Sequence, residues 1–141
     1  MNARTLMAFD FGRQRIGIAI GQEITHSSNP LTTLNAINNK PDWDGISKLI
    51  QEWQPDALVV GIPLHLDGSE QEISQAARRF GRQLHGRYRL PLFETDERLS
   101  SREAEEQIKQ QRKNGTRGRS QKGDIDKIAA SVILQRWLDE Q

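Results

Sequence analysis

The chain has 141 residues, a formal net charge of only +1, three histidines and no cysteine. The missing thiols exclude disulfides and thiolate metal sites, and the near-neutral balance leaves the distribution of charge, not its sum, to report on partners. With 35% hydrophobic residues the length predicts one domain over 1–141, and the absence of any long apolar run predicts a soluble, cytoplasmic protein with neither leader nor membrane span.

Residues 6–21, LMAFDFGRQRIGIAIG, read as two apolar strands joined by a tight basic turn. A single carboxylate, Asp10, sits among Leu6, Met7, Ala8, Phe9 and Phe11, where an ionised acid is costly without a compensating charge or hydrogen bonds. Gly12 suits the turn, in which Arg13 and Arg15 also lie, and 16–21 alternates large aliphatic residues with Gly and Ala, as a strand does when another element approaches it closely. A third strand over 28–34 contains Pro30, which belongs at an edge or a strand start.

From Asp42, a helix cap, the period changes: Trp43, Ile46, Leu49, Ile50 and Trp53 share one helix face, and Pro55 ends it. Residues 57–62, ALVVGI, form a continuous apolar run of the kind buried on both faces of a parallel sheet. A loop from Pro63 follows, then a helix over 69–85 and a strand over 90–95 that delivers Asp96, Glu97 and Arg98. Ser100 and Glu103 form a capping-box signature for a helix over 100–111. The stretch 112–123 is polar, and from Lys109 to Lys122 there are six basic residues and no acidic one, which reads as a loop. A last helix covers 124–139, with Ile125, Ile128, Ala129, Val132, Ile133 and Trp137 as its buried stripe.

Strands separated by helices of this length predict parallel crossovers attached to an antiparallel opening meander, an α/β fold with helices on both faces. Ligands of such sheets lie beyond the carboxyl ends of the parallel strands, which is where Asp10, Asp96 and Glu97 fall. Slim residues Ala129 and Ala130 would let the last helix bring Asp126 to the same place, while Asp124 reads equally as an ordinary first-turn acid. Carboxylates without His or Cys partners describe a hard-cation site for magnesium or manganese, and the adjacent basic stretch adds anion capture. Strand alternation separates Asp96 from Glu97, and a bulge would exchange them, so the inward acid is open at this level.

The segments DFGRQRIGIAIG, VVGIPLHLDGSE, DERLSSREAEE and KGDIDKIAASVILQRWL resemble, in order and spacing, the YqgF (RuvX) family of pre-16S rRNA nucleases related to Holliday junction resolvases. The resemblance runs from Met7 to Leu138 and implies a ribonuclease H-like fold, a five-stranded mixed sheet of three antiparallel opening strands and two parallel ones flanked by helices. It further implies a nuclease dependent on Mg2+ or Mn2+ that matures the 5′ end of 16S rRNA, with precursor rRNA on the assembling small subunit as partner. By position, Asp10, Glu97 and Asp126 would be catalytic and metal-binding, with Asp96 a further metal ligand and Asp124 at most supporting. Arg13, Arg98, Arg117, Arg119 and Lys122 would hold the nucleic-acid backbone. The acid that resolvases carry in the strand reading Val59, Val60, Gly61 is missing, so Glu97 would substitute from the next strand.

Two other readings use the same residues. A junction-cutting DNA resolvase would share the acids but needs paired active sites, and no apolar seam for a dimer is evident, which favours a monomer or weak dimer. A non-catalytic RNA-binding assembly factor would depend on the basic stretch and not on Asp10.

Overall fold

The computed structural model describes residues 4–65, 67–96 and 122–141. Five strands form one mixed sheet in the order β3-β2-β1-β4-β5. In chain order the elements are β1 (Thr5–Phe11), β2 (Arg15–Gln22), β3 (Ser27–Asn35), α1 (Trp43–Trp53), β4 (Ala57–Ile62), α2 (Glu72–Tyr88), β5 (Leu92–Asp96) and α3 (Lys122–Asp139). The first three strands pair antiparallel, and β4 joins β1, and β5 joins β4, in parallel. This is the mixed sheet expected from the order of hydrophobic periods. The helix expected over 100–111 and the basic stretch 112–121 lie outside the described residues.

Strand alternation sorts the core into two layers. Met7, Phe9, Ile16, Ile18, Leu58 and Val60 face α1 and α2, where Phe80 contacts Phe9, Phe11 and Trp43. Leu6, Ala8, Ala19, Ala57 and Val59 face Ala130, Ile133, Leu134 and Trp137 of α3. The second layer is built from small sheet residues, so α3 lies close to the sheet. Asp10 belongs by alternation to this second face.

Pro30 falls in the edge strand β3, at a register shift between Ile18 and Ala19, where its missing N–H costs least. Asp42 caps α1 by accepting from the Gly45 N–H at 3.0 Å. Five local expectations are corrected. Trp53 is 39% exposed and not part of the buried face, since only the α1 residues nearer its start pack under the sheet. Helix α2 begins at Glu72, because Asp67 captures the Ser69 N–H and hydroxyl in an Asx turn and the Gln71/Ser74 capping box then sets the start. It also passes through Gly86 and ends on Arg89, whose left-handed backbone closes the cap before Pro91. Strand β5 accordingly starts at Leu92, and α3 takes in Lys122 and Gly123, two residues of the expected loop.

Arg4 and Glu23 tie the start of β1 to the end of β2 through two contacts of 2.6 and 3.1 Å, with the guanidinium also near the Phe93 and Trp137 rings. The hydrogen bond from Arg4 holds the Glu23 carboxyl below its ordinary range. A lowered folded-state pKa contributes stability above the unfolded value and loses it as pH falls through the folded one. Glu23→Gln is therefore expected to cost about 0.5 kcal/mol at neutral pH, allowing for solvent screening. Denaturant titrations of both proteins should show that difference shrinking towards zero in acid.

Candidate active site

Asp10 pairs across the hairpin with Gly17. A side chain at Gly17 is excluded by α3: a Cβ built there would lie 1.9 Å from the backbone oxygen of Asp126. The first turn of the last helix thus rests on the strand residue beside Asp10, and the bare glycine is what admits it. Gly21 repeats the device about two helical turns further along, its Cβ position lying 2.6 Å from a Leu134 methyl. The expectation that the Gly/Ala alternation of this strand serves a close approach is met, and the approach puts Asp10 and Asp126 on one face of the sheet.

Arg15 holds the Asp126 carboxylate, with Nε 2.6 Å from Oδ2 across 111 positions of sequence. Arg15 stands two residues from Gly17 on the same face, so a cation lies diagonally across the hairpin from Asp10. Sequence reading placed Arg15 in the turn without assigning it this partner; its place on the glycine face of β2 was the available signal. The pair is partly exposed, at 31% and 21%, so its net contribution to stability is about 0.5–1 kcal/mol. Arg15→Gln is expected to lower stability by that amount and to free the Asp126 side chain; thermal melts of variant and wild type measure the loss.

The other expected site residues are distributed differently. Arg13 points to the start of α2, with its terminal nitrogen 3.3 Å from Glu72, and both groups are exposed. Glu94 pairs with Arg78 of α2, so alternation places Asp96 on that face and Thr95, which is buried, on the face of α3. The Asp96 carbonyl accepts from Arg136 at 3.0 Å. Asp124 is 3.4 Å from Lys127 within the first turn of α3. Lys122 opens α3, while Glu97, Arg98, Arg117 and Arg119 lie outside the described residues. A cleft of about 430 Å3 is lined by Phe11, Gly12, Arg13, Gln14, Asn39 and Pro41. It abuts the hairpin turn and the β3–α1 connection and includes none of the acids.

Among the described residues no group of three His, Cys, Asp or Glu side chains is placed to hold a metal. Asp10 and Asp126 are nonetheless the donor type that a hard divalent cation takes. One Asp126 oxygen is bound by Arg15; a carboxylate retains acceptor capacity on the other for a further ligand.

A central-strand acid meeting the start of a carboxyl-terminal helix, on a sheet of order 3-2-1-4-5, is the arrangement of a ribonuclease H-like fold. The same architecture is found in T. thermophilus RuvC solved with a Holliday junction substrate, at a TM-score of 0.52, 12% identity and coverage of 96% of this chain and 94% of that one. It recurs in the yeast mitochondrial Holliday junction resolvase Ydc2, at a TM-score of 0.54, 9% identity and coverage of 94% and 77%. Residues 4–140 match the model of the RuvX family, described as Holliday junction resolvase, and the chain belongs to that family. Its relatives include a Nitrosococcus oceani protein named "Putative pre-16S rRNA nuclease", 54% identical over 98% of this chain and 88% of its own length. A protein of the same name from Aeromonas hydrophila is 45% identical over 100% of this chain and 99% of its own.

Proposed function

We propose that the chain is a divalent-metal-dependent endonuclease that trims the 5′ end of pre-16S rRNA during small-subunit assembly in the cytoplasm. The observation that carries the reading is the seating of the Asp126 turn on Gly17, the strand partner of Asp10. Full-length similarity to proteins named for pre-16S rRNA cleavage supports the choice of substrate.

In this reading Asp10, Glu97 and Asp126 hold Mg2+ or Mn2+, with Asp96 on the opposite strand face and Asp124 outside the ligand set. The bound ion supplies Lewis acidity, favouring ionisation of water and neutralising charge that develops on the phosphate oxygens. Arg15 fixes the Asp126 carboxylate so that it need not be ordered when substrate arrives. Arg13, Arg98, Arg117, Arg119 and Lys122 hold the flanking phosphates and set the position of the strand, not its sequence. Water adds to phosphorus in line, and departure of the 3′ oxygen leaves a 3′ hydroxyl and a 5′ phosphate.

The test compares cleavage of a pre-16S leader RNA and of a four-way DNA junction by the purified chain, with Mg2+, with Mn2+ and with chelator. Leader cleavage that stops on chelation is the expected result. Preferential cutting of the junction would replace the substrate, and RNA binding without cleavage under every condition would remove the enzymatic reading.

A further inference from the structure

Besides the basic stretch from Lys109 to Lys122, positive charge in this near-neutral chain gathers on one helix, α2, that supplies none of the candidate site's acids. From 72 to 89 there are five arginines against a single acid, Glu72. Two of the five are engaged: Arg78 with Glu70 and Glu94, and Arg87 over the Trp43 ring at 4.0 Å. Arg79, Arg82 and Arg89 are exposed and make no ion pair among the described residues. Helical spacing puts Arg79 and Arg82 on the solvent face with Gln75 and Gln83, and Arg89 continues it at the cap. Gly86, on the same face, has open space around it.

We propose that this outer face of α2 is a second RNA contact, a track for the phosphates of the strand that flanks the cleavage point. It rests on the nucleic-acid reading above and extends it to a surface remote from the acids. Three same-sign guanidiniums, spread over about 15 Å of helix, offer donors to successive phosphates. No aromatic or large aliphatic side chain stands among the exposed positions of this face, so the buried anchor that a protein partner would need is missing, whereas backbone recognition by phosphate requires none. The helix also starts in the right place. Glu72 in its first turn meets Arg13 of the β1–β2 turn, so RNA leaving the acid edge past Arg13 is delivered onto the stripe.

The experiment uses the full chain and the variant Arg79→Gln/Arg82→Gln/Arg89→Gln, with chelator present to prevent cleavage. Affinity for a long single-stranded RNA and for an oligonucleotide too short to leave the acid edge is measured across a salt series. The wild type should bind the long RNA more tightly, and the triple variant should lose that advantage. Its slope of log affinity against log salt should fall by about 2, as expected for three lost phosphate contacts on a single strand. Its affinity for the short oligonucleotide and its melting temperature should be unchanged. An unchanged slope on long RNA overturns the track and makes the stripe a protein-facing or merely solvated surface. Equal loss on both RNAs overturns it too, because the helix would then not be separate from the acid edge. Wild-type protein that binds neither RNA removes the nucleic-acid reading itself, an outcome read before any variant is made.

Discussion

Asp10→Asn is expected to abolish cleavage, lowering the rate by at least about a thousandfold, the scale of several kcal/mol that a cation and its anchoring carboxylate supply to phosphoryl chemistry. The substitution keeps the shape of the side chain and removes only its charge. Asp10 is half-buried at the end of a strand whose four preceding residues are fully buried, and this shape-conserving change is expected to leave the fold intact. Two measurements check this. Purified variant and wild type are compared for cleavage of a leader RNA, and their melting temperatures are recorded with and without Mn2+. The wild type should be stabilised by the ion and the variant much less, since a ligand that binds only the folded state stabilises it in proportion to its affinity. Full cleavage by the variant would remove Asp10 from the chemistry.

Gly17→Ala should produce the largest structural defect. The added methyl would fall 1.9 Å from the Asp126 backbone oxygen and 2.9 Å from the Lys127 nitrogen, and these are helix backbone atoms that cannot rotate away. The first turn of α3 must lift from the strand. We expect a loss of about 2–3 kcal/mol in denaturant unfolding, the cost of overpacking a close contact. Activity should fall more than the unfolded fraction explains, because the lifted turn carries Asp126 away from Asp10 and strains its bond to Arg15. Ala19 on the same strand face serves as the control: Ala19→Gly adds no atoms and should lower stability by about 1 kcal/mol through strand weakening while leaving folded-state activity intact. Wild-type stability and activity in Gly17→Ala would show that the helix start is not held where the structure has it.

Much of the fold was legible because its signals are local. The shift from period two to the helical period separates β3 from α1, the Asp42 cap needs only the Gly45 N–H three residues on, and the continuous apolar run of β4 marks a strand covered on both faces. Where local signals compete, reading fails by a turn. Asp67 could cap a helix or close an Asx turn with Ser69, and it does the latter; Gly86 could end α2, and burial of Leu84 and packing of Tyr88 carry the helix past it.

The candidate site divides along the same line. Sequence alone identified Asp10 as an acid in apolar company, Asp126 as an acid near slim helix residues, and the Gly/Ala face of β2 as a surface to be approached. Periodicity specifies which residues share a face of their own element, but it carries no information on which faces meet. That Asp126 is held by Arg15, that Arg13 turns to Glu72 instead of the acids, and that Asp96 shares the face of Glu94 follow from strand register and the docking of α3. Those relations join residues up to 111 positions apart, and only the closed sheet brings them within contact distance.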